Sequence, residues 1–495
     1  MSTPRIVQLE LNEVPFRVID AYVAIAPQST LAGLLKKSRQ LSSICPDKIE
    51  LDPWISWPTL HRGVIDEQHR ILHLGQMLKT ADETWPPLWR LLADAGLKVG
   101  VFGSIHSNHV PENVEKYSFY VPDFFDDVVF AHPPHLLPFQ RFNLGMTRRS
   151  TRNVDTKMPA DLFLDFARSA PRLGLSPSTL AALAKQILSE RKTPRLRIRR
   201  RSLQSLIMGD IFIQLLRTHK PDFATLYSNH VAANMHRYWA ATFPDDHGHR
   251  TLSDEWIEDY KDEIFDAMDV FDKMLAKTLK YCEETGSVLL LATSMGQGPV
   301  PHEETRQFVS ITKVSQLMSA LGFTQDQYRE RPAMVPCNGV VMDPALVPEL
   351  TRRLDQITID GHRFVNSDNE ITPLSYGVHD GGFVSLFSYF ESYKGEDKLQ
   401  IGNETVSFAD AGFGHTAHED GVSVTAHHTK DGVLIIYDPA TPLTGDAREE
   451  TSTTEIAPAI LEHFGLPKPS YMSEGTGIVA SILRSLRKTA VRGAA

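Results

Sequence analysis

The sequence predicts an α/β protein in which a doubly wound, mostly parallel sheet carries helices on both faces, with inserted cap regions over its strand ends. Three observations lead there. Apolar runs of five or six residues rich in Val, Ile and Leu recur along the chain, the pattern of strands buried on both faces. Segments with apolar residues at every third or fourth position separate them, as in amphipathic helices. The chain of 495 residues is 42% hydrophobic and 23% charged, which supplies a large core and excludes both intrinsic disorder and a small stapled scaffold. One large domain with insertions accounts for that length.

The elements follow in order. Ile6–Leu11 (IVQLEL) reads as a short buried strand, with the polar residues Glu10, Asn12 and Glu13 at or beyond its end. Residues 84–96 (TWPPLWRLLADAG) read as a helix opened by prolines and closed by Gly96, and residues 98–103 (KVGVFG) as the strand after it. Residues 222–227 (DFATLY) and 287–293 (SVLLLAT) are two further strands, the second running into Ser294-Met295-Gly296-Gln297-Gly298. Between them Trp256, Tyr260, Ile264, Met268, Phe271, Leu275, Leu279 and Cys282 mark one long helix stopped by Gly286. Residues 432–437 (GVLIIY) form a late strand and residues 455–465 (EIAPAILEHFG) a short helix. Ligands are expected at the carboxyl ends of such strands. Residues 1–109, 221–324 and 413–480 are expected to form a discontinuous core. Residues 110–220, mainly helical, and 325–412 read as insertions capping the site, and 481–495 as a basic tail.

Lys plus Arg number 51 against 61 Asp plus Glu, a net charge of −10, which argues against a nucleic-acid coat or a polybasic membrane binder. The expected partner is a small anionic or carbohydrate substrate, with the oligomeric state left open. Cys45, Cys282 and Cys337 form neither a CxxC pair nor a disulfide framework. Charge arrives too early in the chain for a signal peptide, and no apolar run reaches about 18 residues, so no membrane span is expected and the protein reads as cytoplasmic. Residues 191–201 (RKTPRLRIRRR) concentrate seven basic residues, read as a solvated helix face in preference to an anion dock or a membrane or partner surface. Eight of the 20 histidines fall in two clusters: His230, His236, His247 and His249, then His415, His418, His427 and His428.

Six segments in order resemble the alkaline phosphatase superfamily, most closely its phosphodiesterase and nucleotide-pyrophosphatase-like branch. They are VQLELNEVPF, the first metal-ligand strand; DPWISWPTLHRG (52–63), the nucleophile loop; TWPPLWRLLADAGLKVGVFGS (84–104); PDFATLYSNHVAANMHRYW (221–239), the strand and loop of an Asp-x-x-x-His pair; SVLLLATSMG (287–296), the strand ending in Ser-Asp-His-Gly; and TAHHTKDGVLI (425–435), the loop of the last histidine ligand. The closing EIAPAILEHFGLPKPSYM matches the family's terminal helix. The resemblance implies two-metal phosphoryl transfer, in which paired cations neutralise the phosphate and activate the nucleophile.

This chain departs from that pattern at most ligand positions. His236 and His428 fall on two histidine ligands, but the Asp before His236 is Ala232. Ser294 and Met295 replace the Asp-His pair, and a thioether is a poor ligand for a hard cation. Glu10 or Asn12 takes the first aspartate position, depending on register. Pro53 or Trp54 stands where the nucleophile belongs, with Ser56 and Thr59 the nearest hydroxyls. His230 is a candidate third ligand, so the resemblance leaves either one divalent metal, zinc or manganese, or none. The Cys45-Pro46-Asp47-Lys48 run lacks the arginine and the proline placement of a sulfatase core, and no phosphate-binding glycine loop occurs.

The loops still hold groups suited to anionic or polyhydroxylated ligands: Glu10, Asn12, Trp54, Trp57, His61, Asn229, His230, Arg237, Ser294, Gln297, His418, Glu419 and Asp420. Trp54 and Trp57 read either as ring platforms or, more commonly, as core. The leading expectation is a hydrolase of a phosphate ester, phosphodiester or related glycosyl substrate through an atypical site built on Glu10, Asn12, His230, His236 and His428. The second is a metal-independent carbohydrate hydrolase or transferase with Glu10 as acid or base, partnered by Asp52 or Asp420. The third is a non-catalytic ligand-binding descendant.

Overall fold

The computed structural model describes residues 3–125, 128–147, 160–247, 252–300, 307–331, 333, 337–366, 372–391, 393–417, 422, 424–441, 447–473 and 475–492. The central element is an eight-stranded sheet. Its strands are β1 (Ile6–Leu11), β2 (Arg39–Ile44), β3 (Val99–Phe102), β4 (Phe119–Val121), β5 (Phe223–Ser228), β6 (Val288–Ala292), β7 (Asp431–Tyr437) and β8 (Glu449–Ser452). They lie in the order β8-β2-β7-β6-β1-β5-β3-β4. From β6 to β4 every neighbouring pair is parallel, β8 is parallel to β2, and β7 alone runs antiparallel to its neighbours.

The protein is therefore mixed α/β with a large, parallel-rich sheet. The order does not run outward in chain sequence from one crevice, so the expected doubly wound arrangement is not a simple one. The reversal of β7 has a local cause. A short strand, Ala426–Thr429, pairs antiparallel with Gly296–Pro299 just beyond the end of β6. Only Lys430 separates it from β7, so the chain enters the sheet from the side where β6 leaves it. Gly296 permits this crossing, since a Cβ there would lie 2.2 Å from the Asp431 carbonyl oxygen.

Strand alternation assigns the two faces of the sheet. Val7, Leu9 and Leu11 of β1 and Leu289 and Leu291 of β6 pack with Ile211 and Phe212 from the helix Arg200–His219. Ile6, Leu290, Leu434 and Ile436 point the other way, against Trp57, Leu60 and Ile460. Helices thus cover both faces. The segment read as a nucleophile loop is a helix, α1 (Pro53–Arg62), capped by Asp52 through Trp54 N–H and ended by Gly63 at φ 64°. The expected long helix is two, Asp254–Tyr260 and Glu263–Thr285, the second ended by Gly286 at φ 66°. A separate apolar cluster running from Val309 to Phe413 fills the smaller sheets of that stretch. The basic run folds against acids: Arg199 pairs with Glu263 at 2.8 Å, Arg195 with Glu263 at 3.6 Å, and Arg200 Nε donates to Glu190 at 2.8 Å.

Leu291 is fully buried in the middle of this sheet. Leu291→Ala is expected to cost about 2–5 kcal/mol, read as a lower urea midpoint at an unchanged m-value.

Candidate metal centre

The parallel strands β1, β5 and β6 end side by side, and the residues just past them build the site. β1 continues into Asn12 and Glu13, β5 into Asn229 and the helix α2 (His230–Thr242), and β6 into Ser294 and the ribbon strand Gly296–Pro299. Ribbon pairing sets His428 opposite Gln297. Thr425 fastens the ribbon to α2, its N–H donating to the His236 carbonyl at 2.7 Å and its hydroxyl to that of Arg237 at 3.1 Å.

Glu13 is the centre of this arrangement. It is 2% exposed and adopts a left-handed backbone at φ 59°. Its Oε2 lies 3.0 Å from His236 Nε2 and 3.5 Å from His428 Nε2, and accepts a hydrogen bond from the Gln297 amide. One ligand atom from each of the three residues lies within 4.8 Å of the others.

The tautomers follow from the remaining ring nitrogens. His236 Nδ1 donates to the Ala426 carbonyl at 2.9 Å, and His428 Nδ1 to the Leu51 carbonyl at 2.7 Å. A carbonyl can only accept, so each Nδ1 carries the proton, and each neutral ring presents the Nε2 lone pair to the carboxylate. Two lone pairs facing an anion need a proton or a cation among them. Without metal the proton serves. Burial works against charge on His428, but Glu13 outweighs it and raises the imidazole to about 9. Burial likewise raises the Glu13 carboxyl, while His428 and His236 together hold it well below the ordinary carboxylate range.

A second layer orients Glu13. Asn12 Nδ2 donates to Glu13 Oε1 at 2.6 Å and to Asn229 Oδ1 at 2.7 Å, while Asn12 Oδ1 accepts from Trp57 Nε1 at 2.7 Å. The indole donor fixes which way the Asn12 amide faces, because a flipped amide would set oxygen against the carboxylate. Trp57 thus serves as core, fully buried, and as the anchor of this chain.

Several expected residues lie elsewhere. His230 is turned away from the centre. Its Nδ1 meets the Ser228 hydroxyl at 2.8 Å and its Nε2 the Ala267 carbonyl at 3.1 Å, and burial depresses it to about 4. Glu10 points to the α1 face of the sheet, with Oε1 2.8 Å from His61 Nε2 and 3.0 Å from Gln8 Nε2. Burial opposes its charge, but His61 and the hydroxyls of Thr225 and Ser104 outweigh burial and lower its pKa. Ser56 and Ser294 bond to each other at 2.8 Å with no exposure. Thr59, also fully buried, donates to Asp47 at 2.7 Å and meets His69 Nε2 at 3.0 Å. Arg237 is buried, whereas Trp54 is partly exposed and edge-on to Phe125 at 5.1 Å. His418, Glu419 and Asp420 lie outside the described residues. Asp52, whose carboxyl burial raises, is close enough for its charge to act on His428.

No family model matches the chain, and no curated protein matches it significantly. Among solved structures, murine ectonucleotide pyrophosphatase/phosphodiesterase 5 aligns over 95% of this chain and 97% of its own, at 11% identity and a TM-score of 0.40. Phosphonoacetate hydrolase from Sinorhizobium meliloti aligns over 92% and 95%, at 12% identity and 0.39, and TAB5 alkaline phosphatase over 94% and 100%, at 10% and 0.35. Likenesses at these scores assign neither a family nor an activity.

The sequence places Glu13 beyond the first strand without a role, because the resemblance puts Glu10 or Asn12 at the aspartate position. The left-handed backbone at Glu13 turns its own carboxylate toward His236 and His428. The available signal was an acidic residue placed between a strand end and Pro15, which opens the helix Phe16–Ile25.

The protonated pair generates a pH dependence in chelator-treated protein. Ordinary values are about 4.3 for Glu and 6.5 for His. The depressed Glu13 contributes stability above its unfolded pKa and loses it as pH falls through its folded value. His428 contributes fully below its unfolded pKa and loses the contribution as pH rises through about 9. The melting temperature is expected to fall from about pH 6.5 toward 9, and His428→Ala to flatten that slope in scanning calorimetry.

Proposed function

We propose that this protein is a hydrolase of phosphate esters or phosphodiesters that works with one divalent cation held by Glu13, His236 and His428. One observation carries the reading: the two histidines that fall on ligand positions of the superfamily resembled in sequence meet at the strand ends with a carboxylate between them. The donor set fits such an ion. Both imidazoles are held in the ligating tautomer by backbone carbonyls, and the carboxylate is oriented by Asn12 and Gln297, the outer support that metal-binding residues characteristically have. Two nitrogens and one oxygen suit zinc with an open position, with manganese second.

A cation so held would polarise a phosphoryl oxygen and acidify a water molecule near neutral pH. The chain's own groups supply the rest. Ser56 and Thr59 are sealed in hydrogen bonds, so water is the nucleophile. Asp52, whose charge acts on His428, is the carboxylate we assign to take its proton. Asn229 accepts from Asn12 through Oδ1, which leaves its amide N–H groups to bind a phosphate oxygen. Trp54 with Phe125 forms an apolar wall next to Asp52. The glycosyl-transfer alternative loses its acid, because Glu10 is closed against His61 and 1% exposed.

Reconstitution with zinc or manganese followed by elemental analysis is expected to give about one equivalent per chain, with turnover of bis(4-nitrophenyl) phosphate that follows metal content. Less than about a tenth of an equivalent and no turnover across an ester panel would overturn the metal reading and favour a non-catalytic ligand-binding role. Glu13→Gln and His428→Ala are expected to abolish stoichiometric binding. Trp57→Phe keeps an aromatic ring but removes the donor that fixes Asn12, and is expected to weaken metal affinity by about 10–100-fold, measured on protein still folded, with a lower melting temperature because the smaller ring leaves a void in the core.

A further inference from the structure

The helix Pro177–Lys192 is packed the wrong way round for a soluble surface. Its polar Thr179 and Glu190 are buried, Glu190 against Arg200, while Leu180, Ile187 and Leu188 stand 50%, 49% and 60% exposed. At 100° per residue these three, with the exposed Ala181 and Ala184, form one continuous solvent-facing stripe. The charges on that face are Lys185, Arg191 and Lys192, all positive and all exposed, and Glu190, the helix's one acid, is turned inward. The helix Ala160–Ser169 also exposes Phe163 and Leu164, at 53% and 49%, among Asp161, Asp165 and Arg168. Among the described residues, three of the ten large hydrophobics left exposed thus lie on Pro177–Lys192, together with cationic charge in a chain whose net charge is −10.

We propose that Pro177–Lys192 is an interfacial helix that docks this protein on a bilayer containing anionic lipid. An apolar stripe with Lys185 and Lys192 along one edge and Arg191 at its C-terminal end matches such a surface in both of its parts. The stripe enters the acyl boundary while the cations remain among the headgroups. A second copy of this helix is a poorer occupant, since its exposed face offers no acid to meet Lys185, Arg191 and Lys192. Nucleic acid is poorer still, because the centre of the face is aliphatic.

Flotation of the full chain with vesicles tests this. Binding is expected to phosphatidylcholine vesicles carrying about 30% phosphatidylserine and to be much weaker with phosphatidylcholine alone. The variant Lys185→Glu, Arg191→Glu, Lys192→Glu is expected to weaken binding on the order of a hundredfold, and Leu180→Ser, Ile187→Ser, Leu188→Ser by at least about tenfold, with far-UV circular dichroism unchanged. The charge variant alters only exposed side chains, so it decides the matter even where the apolar variant fails to fold. Absence of binding to anionic vesicles, binding that survives the charge variant, or a dimer by light scattering without vesicle binding each overturns the proposal.

Discussion

Everything at the strand ends depends on one electrostatic constraint: the Glu13 carboxylate faces two imidazoles whose backbone partners force their Nε2 atoms toward it. Left to themselves, three such atoms repel. The fold holds them together through groups that cannot be exchanged for one another, a carbonyl at Leu51 ahead of α1, a carbonyl at Ala426 in the ribbon, and an amide at Asn12 anchored by an indole. Displacing any of these elements displaces a donor or a tautomer. A buried carboxylate is tolerated here because it receives N–H donors from Asn12 and Gln297 as well as the charge of its histidines.

The sheet shows a second consequence of burying polar groups. The face of β1 that meets α1 carries Gln8 and Glu10 in succession, both about 1% exposed. Glu10 Oε1 accepts from the Gln8 amide and meets His61, which in turn stacks on Trp57 at 5.4 Å and meets Trp89 edge-on at 4.7 Å. This closed pair lies beneath the site without joining it. It shows how a glutamate near a strand end reads as catalytic in sequence and is structural in space.

Much of the fold was legible because it rests on local pattern. The apolar runs of β1, β5, β6 and β7 and the helix Ile456–His463 are where periodicity puts them, since burial on both faces leaves a continuous hydrophobic signature. The strand order and the reversal of β7 were not legible, because both are set by contacts between segments hundreds of residues apart. Within the site, His236 and His428 could be found by motif spacing. Glu13 depends on a backbone conformation rare for glutamate, and the departure of His230 depends on the carbonyl of Ala267, neither of which leaves a trace in residue spacing. The basic run at residues 191–201 reads in sequence as a solvated helix face; in the structure Arg195, Arg199 and Arg200 form a partly buried ion-pair seam with Glu263 and Glu190, while Arg191, Lys192 and Arg197 are exposed.

The place of β7 between β2 and β6 also governs how the molecule is made. β2 ends at Ile44, yet its neighbours on both sides, β7 and β8, begin at Asp431 and Glu449. At about 5–20 residues per second the ribosome needs roughly 20–80 s to bridge that interval. Throughout it, β2 has neither of its native neighbours to pair with, and its unpaired N–H and C=O groups are open to other strands or to a chaperone. His428 arrives in the same late segment, so the binding centre closes only as the sheet does. The nascent chain therefore carries β2 without a native sheet neighbour until its last strands emerge.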